Sequence, residues 1–242
     1  MKRVFDVVFA FSILLIASPV LAVCLFLVWL QDWRSPFYIA PRVGKGGGLF
    51  DMVKIRSMVA NADKTGVDST SSNDQRITTI GHVIRRYKVD ELTQLWNVLK
   101  GDMSFVGPRP NVKRDVDLYS TEERKLLLVR PGITDFSSIV FSDEGDILKD
   151  KADPDISYNQ LIRPWKSRLG IFYVERQSFV LDVQLIFLTA LAIVNRNAAL
   201  TQAQALLRRL GAPNALVKIA GRQEELVPHP PPGMSEIVTS RG

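Results

Sequence analysis

Asp90 and Glu91 stand side by side in "RITTIGHVIRRYKVDELTQLWNVLKGDMSFVGPRP", Arg76 to Pro110, the stretch richest in chemistry-bearing residues. Arg85, Arg86, Lys88, Lys100 and Arg109 surround them in sequence, and Arg130 follows in "RPGIT". Carboxylates among arginines suit the handling of phosphate. Guanidinium forks match phosphate oxygens, and an acid can act as nucleophile, as base or as ligand of a hard cation. The plainer alternative is that both acids only complement the first N–H groups of a helix. Other chemistries are thinly provided for. One cysteine, Cys24, excludes an intrachain disulfide and a multi-cysteine zinc site, and two histidines, His82 and His229, exclude a histidine-rich metal centre. "SDEGD" at Ser142 to Asp146 reads as a solvated loop rather than a cation site. With 31 Lys and Arg against 25 Asp and Glu, the net charge of +6 favours anionic partners: lipid headgroups, nucleotides or nucleic acid. Composition does not choose among these.

The elements that must position these residues follow from spacing. Leu92, Leu95, Trp96 and Leu99 recur at helical intervals and Gly101 supplies a stop, so both acids fall in the first turn of a helix. Upstream, "PFYIAPRVGKGGGLFDMVKIRSM" predicts two strands about Gly44 to Gly48, a hairpin against the membrane surface. Asn61 to Arg76 is too polar for a core and predicts a long loop. Downstream come a short helix over Glu122 to Val129, an acidic turn-rich loop, and helical patterns over Ser157 to Leu169 and Val174 to Val194, the latter carrying Asp182. A last helix is expected over Leu200 to Leu210, and "VPHPPPG" opens a tail expected to be disordered. Gly107-Pro108 and Pro131-Gly132 read as backbone turns.

An uncharged run from Val7 to Leu30 is interrupted only by Ser12, Ser18 and Pro19. As a straight helix it would reach roughly 36 Å, enough for a hydrocarbon core of about 30 Å. Pro19, however, has no N–H and presses on the carbonyl of Leu15, dividing the run in two; the Ser18 hydroxyl can serve the freed carbonyl. Basic residues flank both ends: Lys2 and Arg3 before, Arg34, Arg42, Lys45, Lys54 and Arg56 after. Positive charge marks the cytoplasmic side, so a re-entrant helix–break–helix is favoured over a kinked span.

The Ser18-Pro19 break, "PRVG" (Pro41 to Gly44), "KIRSM" (Lys54 to Met58), "VDELTQLWNVLKGDMSFVGPRP" (Val89 to Pro110) and "RPGIT" (Arg130 to Thr134) together resemble the bacterial sugar transferase family. These are small monotopic phosphoglycosyl transferases that begin glycoconjugate assembly on a polyprenyl phosphate. With the pattern above, the resemblance implies an α+β, predominantly helical fold. Its parts would be a re-entrant membrane anchor over 1–33, a catalytic domain with a small β-hairpin over 34–197 on the cytoplasmic face of the bacterial inner membrane, and a partly disordered extension over 198–242.

The reaction it implies moves a sugar-1-phosphate from a UDP-sugar to undecaprenyl phosphate with release of UMP, and has no use for nucleic acid. By that similarity Asp90 is the nucleophile, and Glu91 a base or metal-site carboxylate. Mg²⁺ is the implied cofactor, held by Asp90, Glu91 and Asp182. Arg85, Arg109 and Arg130 are expected near the phosphates, as are Lys54 and Arg56, which on their own would equally suit lipid headgroups. A homo-oligomer and downstream glycosyltransferases are further partners of the kind the family uses. The chain departs from the family pattern at Asp135-Phe136-Ser137, after "RPGIT", where residues would lie near sugar or nucleotide. The different-class alternative is a non-catalytic membrane-anchored scaffold or binder of anionic lipid, which leaves the Val89 to Pro110 block unexplained.

Overall fold

Pro19 bends no chain direction strongly enough to end the first helix. In the computed structural model, which describes residues 1–62 and 69–240, α1 runs from Lys2 to Leu30 as one 29-residue helix with Pro19 inside it. The expected helix–break–helix is therefore one continuous helix, and the local chemistry explains how. Proline at position 19 removes the N–H that would bond the Leu15 carbonyl, and Ser18 Oγ donates to that carbonyl at 2.8 Å instead. Ser18→Ala is expected to cost about 1 kcal/mol by leaving that carbonyl unserved, seen as a lower melting temperature in detergent. An unchanged melting temperature would mean that the carbonyl has no need of the hydroxyl.

The expected hairpin forms from β1 (Phe37–Val43) and β2 (Leu49–Ile55), antiparallel with Ala40 opposite Met52. Gly46 and Gly47 take positive φ between them, which is why a glycine run makes this turn. Next come α2 (Thr79–Arg86), α3 (Val89–Leu92) and α4 (Leu95–Lys100), so the single helix expected after Val89 is two short ones in sequence. Of the long polar loop, residues 63–68 lie outside the described residues.

A second, parallel pair joins β3 (Ser104–Val106) to β4 (Gly132–Thr134), with α5 (Lys113–Asp117) and a 3₁₀ turn over Glu123–Leu128 between them. Here the two Gly-Pro turns meet. A Cβ built on Gly132 would sit 2.1 Å from the nitrogen of Gly107, and one on Gly107 would sit 2.4 Å from the Arg130 carbonyl. Only glycines let the two turns pack backbone to backbone, and that contact aims the chain entering Arg109.

The rest is helical: α6 (Phe136–Val140), α7 (Glu144–Ile147), α8 (Pro154–Ser157) running through one π-helical turn at Tyr158–Ile162 into α9 (Arg163–Arg176), α10 (Phe179–Val194), α11 (Arg196–Arg209) and α12 (Asn214–Gly221). Ser178 caps α10 by accepting from the Leu181 N–H at 3.2 Å, which divides the pattern expected as continuous from Val174. The main core draws on Leu95, Val98, Met103, Phe136, Leu169, Tyr173, Leu185, Leu207 and Val217. Helices α11 and α12 thus share it with everything upstream. Among the described residues the C-terminal segment carries no helix or strand after α12, yet it is tied down. The His229 N–H bonds the Gln160 carbonyl at 3.0 Å, Gln160 Nε2 bonds the Val238 carbonyl at 2.8 Å, and Arg168 bonds the Pro230 carbonyl at 3.0 Å.

Both ends of α1 touch this one body. Near its start, Asp6 is buried and accepts from Ser104 Oγ at 2.8 Å and the Phe105 N–H at 3.2 Å. Beyond its end, Asp32 takes both arms of Arg56 at 2.6 Å. Between them Leu21 and Val28 pack with Ile55 and Ile84. The opposite face exposes Val4, Val8, Phe11, Leu15, Ile16, Val20 and Val23, and α10 likewise exposes Val180, Phe187 and Val194.

Candidate active site

Lys88 turns the chain from α2 into α3 with a left-handed φ of 57°, which places Asp90 and Glu91 at the start of a four-residue helix, as the spacing predicts. So short a helix has little dipole, and the charges around the acids must come from side chains. Two clips hold α3 and α4 against β2. Thr93 Oγ1 donates to the Val53 carbonyl at 3.1 Å. Asn97, wholly buried, accepts from the Val53 N–H at 3.0 Å and donates to the Asp51 carbonyl at 2.7 Å, standing in for a third strand on that free edge.

Across this seam the β2 residue Lys54 places Nζ 4.0 Å from both Asp90 Oδ2 and Glu91 Oε1. Arg109 reaches in from the Gly107-Pro108 turn and grips Glu91 with two bonds, 3.1 and 2.8 Å, while its Nη1 also donates to the Ile133 carbonyl at 3.0 Å. Arg85, hydrogen-bonded to Ser57 Oγ at 3.5 Å, adds a cation whose field reaches Lys54 and Asp90.

The two acids differ in electrostatics. Burial pushes Asp90 above the usual carboxylate range, against the pull of Lys54. Burial would raise Glu91 too, but Arg109, Lys54 and Lys88 outweigh it and hold that acid well below its ordinary range. Burial in turn lowers Lys54, with the two acids opposing. Glu91 is thereby a fixed anion that aims Arg109, whereas Asp90 keeps one oxygen, Oδ1, buried and without a hydrogen-bond partner. An unspent carboxylate oxygen ringed by cations is suited to attack on, or ligation near, a phosphorus.

Five of the expected residues therefore come together: Lys54, Arg85, Asp90, Glu91 and Arg109. Three do not. Arg56 is consumed by Asp32. Arg130 Nε donates to the Gly101 carbonyl at 2.9 Å, and with Arg3 on the Val98 and Leu99 carbonyls it neutralises the negative end of α4. Asp182 is buried between α1, α9 and α10, where it pairs with Lys2 and accepts from Tyr173 OH at 2.6 Å. Its charge is met there, and it is not gathered with the acidic pair.

Among the described residues no three His, Cys, Asp or Glu side chains gather as a metal site. The donor set fits Mg²⁺ nonetheless in a restricted way. Hard carboxylate oxygen from Asp90, with Glu91 behind it, suits an ion that takes few protein ligands and completes its shell with phosphate oxygens and water.

Several participants have only weak sequence signals. Gln94, four residues after Asp90, is fully buried with neither amide atom partnered. Asn97 interrupts an otherwise apolar stripe. Glu144, paired with Lys166, lies within electrostatic reach of Arg109 from a loop that composition marks as merely solvated. Where the chain departs from the family pattern, Asp135 caps α6 by accepting from the Ser138 N–H at 2.8 Å and Phe136 is wholly buried, so that departure is built into the scaffold.

A family profile described as bacterial sugar transferase matches residues 1–196. The chain is 32% identical over 214 residues to a UDP-galactose-lipid carrier transferase of Erwinia amylovora, covering 82% of this chain and 41% of the relative. It is 34% identical over 176 residues to a UDP-N-acetylgalactosamine-undecaprenyl-phosphate N-acetylgalactosaminephosphotransferase of Aeromonas hydrophila, covering 71% and 42%. It is 31% identical over 207 residues to the exopolysaccharide production protein ExoY of Sinorhizobium fredii, covering 79% and 84%. The chain thus spans about two fifths of the length of the first two relatives.

Proposed function

The chain belongs to the bacterial sugar transferase family, and from that premise we propose that it moves a sugar-1-phosphate from a UDP-sugar to undecaprenyl phosphate and releases UMP. The observation that carries this reading is Asp90: a buried carboxylate with one unpartnered oxygen, beside Lys54 and the Glu91–Arg109 pair. In the first half-reaction Asp90 Oδ1 bonds to the β-phosphorus of the donor, the bond from that phosphorus to the bridging oxygen breaks, and UMP leaves with the electron pair. In the second, a phosphate oxygen of the polyprenyl acceptor bonds to the same phosphorus and Asp90 departs. Burial penalises the anionic, nucleophilic form of Asp90, and Lys54 and Arg85 offset part of that penalty. Arg109, aimed by Glu91, presents its remaining donor capacity to phosphate oxygens. Glu91, held well below its ordinary range by the Arg109 fork, is a poor base. Mg²⁺, held by Asp90 and Glu91, would offset diphosphate charge.

The reading also places the protein at the cytoplasmic face of the inner membrane, early in exopolysaccharide synthesis. It is supported by α1, the one helix among the described residues long and apolar enough to cross a membrane. Its two ends contact the same folded body through Lys2, Asp6 and Asp32, which suits an unbroken helix lying along the membrane surface better than one crossing it. Cysteines at Val4 and Trp33, both exposed, in a Cys24→Ser background are expected to react with an impermeant maleimide only after the cells are opened. Reaction of one site and not the other in intact cells would overturn the arrangement.

The test of function is UMP release by detergent- or nanodisc-held protein with undecaprenyl phosphate, Mg²⁺ and a panel of UDP-sugars. The relatives named above carry different sugars, so the panel begins with galactose and N-acetylgalactosamine. Release with one donor is expected. No release from any donor would turn the reading toward a non-catalytic scaffold.

A further inference from the structure

Helix α7 is held from two sides. On one side it meets the polar loop before α2, where the Ser72 N–H donates to the Gly145 carbonyl at 2.8 Å and Asn73 Nδ2 donates to Asp150 Oδ1 at 2.8 Å. On the other side two arginines converge on Asp143, the residue that starts α7. Arg196 Nη2 lies 2.8 Å and Arg222 Nη2 3.2 Å from Asp143 Oδ2, while Arg196 Nε donates to Ser142 Oγ at 3.1 Å. The Arg222 guanidinium also lies over the Phe141 ring, 5.3 Å from its centroid.

Arg222 is built to stay there. It follows α12 in the left-handed conformation, φ 50°, and α12 itself is anchored by Leu216, Val217 and Ala220 in the main core. The next residue of α7 after Asp143 is Glu144, paired with Lys166 and within the field of Arg109. A two-pronged grip on Asp143 therefore fixes a charged pair whose field reaches Arg109. The segment around it, Ser142 to Lys151, is strongly polar, which suits contact with a water-borne substrate rather than a lipid-borne one. Arg222 lies beyond the residues that the family profile matches.

We propose that Arg222 is a positioning residue for the nucleotide-sugar donor: from the C-terminal segment it clamps α7 through Asp143 and so fixes the Glu144–Lys166 pair. The assignment to the donor rests on the sugar-phosphate transfer reading, whereas the clamp itself does not. Arg222→Ala is expected to raise amide hydrogen exchange in residues 141–148 of the full-length protein by about tenfold, with α1 and the β1–β2 hairpin unchanged. The donor KM is expected to rise by about five- to tenfold with kcat within about twofold, and Arg222→Lys to recover part of the KM. Should Arg222→Ala fail to fold, Asp143→Asn, nearly equal in volume, is read by the same two measurements. Unchanged exchange in 141–148 would overturn the clamp. Raised exchange with an unchanged donor KM, or with kcat falling as far as kcat/KM, would overturn the positioning role. A wild-type protein that turns over no UDP-sugar would overturn the donor assignment along with the transfer reading, and the exchange measurement would still decide the clamp.

Discussion

Asp90→Asn is expected to abolish UMP release while leaving the protein as stable as before or more so. The chemical half of the expectation follows from removing the charge of the oxygen proposed to attack. An amide oxygen does not form the acyl-phosphate bond, and loss of a covalent nucleophile lowers turnover by at least about a thousandfold. The physical half follows from burial. Asp90 is 6% exposed, and desolvation raises its pKa in the folded state above the unfolded value. A group with a raised folded pKa contributes stability that is present below its unfolded value, near 3.8, and lost as pH rises through the folded value. Ionised Asp90 is therefore a burden on folding, and the neutral amide removes it. Asparagine should melt at or above the wild-type temperature at pH 7, and the difference should close under acid. Retained turnover would remove Asp90 from the nucleophile's role; a large drop in melting temperature at pH 7 would instead show that its charge is holding the fold.

Arg109→Ala should damage both stability and activity. Its guanidinium supplies two bonds to Glu91 and one to the Ile133 carbonyl, and without it the nearest cation to Glu91, 16% exposed, among the described residues is Lys54 at 4.0 Å. Breaking a buried ion pair from one side costs about 3–5 kcal/mol, and the lower end suits a pair in which Arg109 is 27% exposed. Turnover should fall by about a hundred- to a thousandfold, because a donor aimed at phosphate charge is lost. The pH dependence has a definite sign. Glu91 is held below its ordinary value of 4.5, so its pairing stabilises the protein above that pH and is lost as pH falls toward the depressed folded value. Chemical denaturation should therefore show a wide gap between wild type and variant at pH 7 that narrows below about pH 4. A gap independent of pH would mean that Arg109 acts through packing. Arg109→Lys separates the two roles, since it keeps the charge but loses the fork.

What the sequence determined by itself is mostly local. The spacing of Leu92, Leu95, Trp96 and Leu99 put Asp90 and Glu91 at a helix start, the glycine run at Gly46 and Gly47 made the hairpin, and the Ser18-Pro19 pair announced a carbonyl in need of a partner. Each of these depends on neighbours within a few positions, which periodicity and turn chemistry record. Tertiary structure alone decided which charges come together. Nothing local distinguishes Arg109 from Arg130: one follows glycine-proline and the other precedes proline-glycine, and each belongs to a block of the resemblance. The choice came from what each long arm finds. Arg130 meets the exposed carbonyl end of α4, Arg56 meets Asp32 after α1, and Asp182 meets Lys2 and Tyr173. A charge that must be buried takes the nearest opposite charge the fold brings to it. Asp90, unlike Asp182, keeps an oxygen that no partner claims, and that remainder is a property of the assembled chain rather than of any stretch of it.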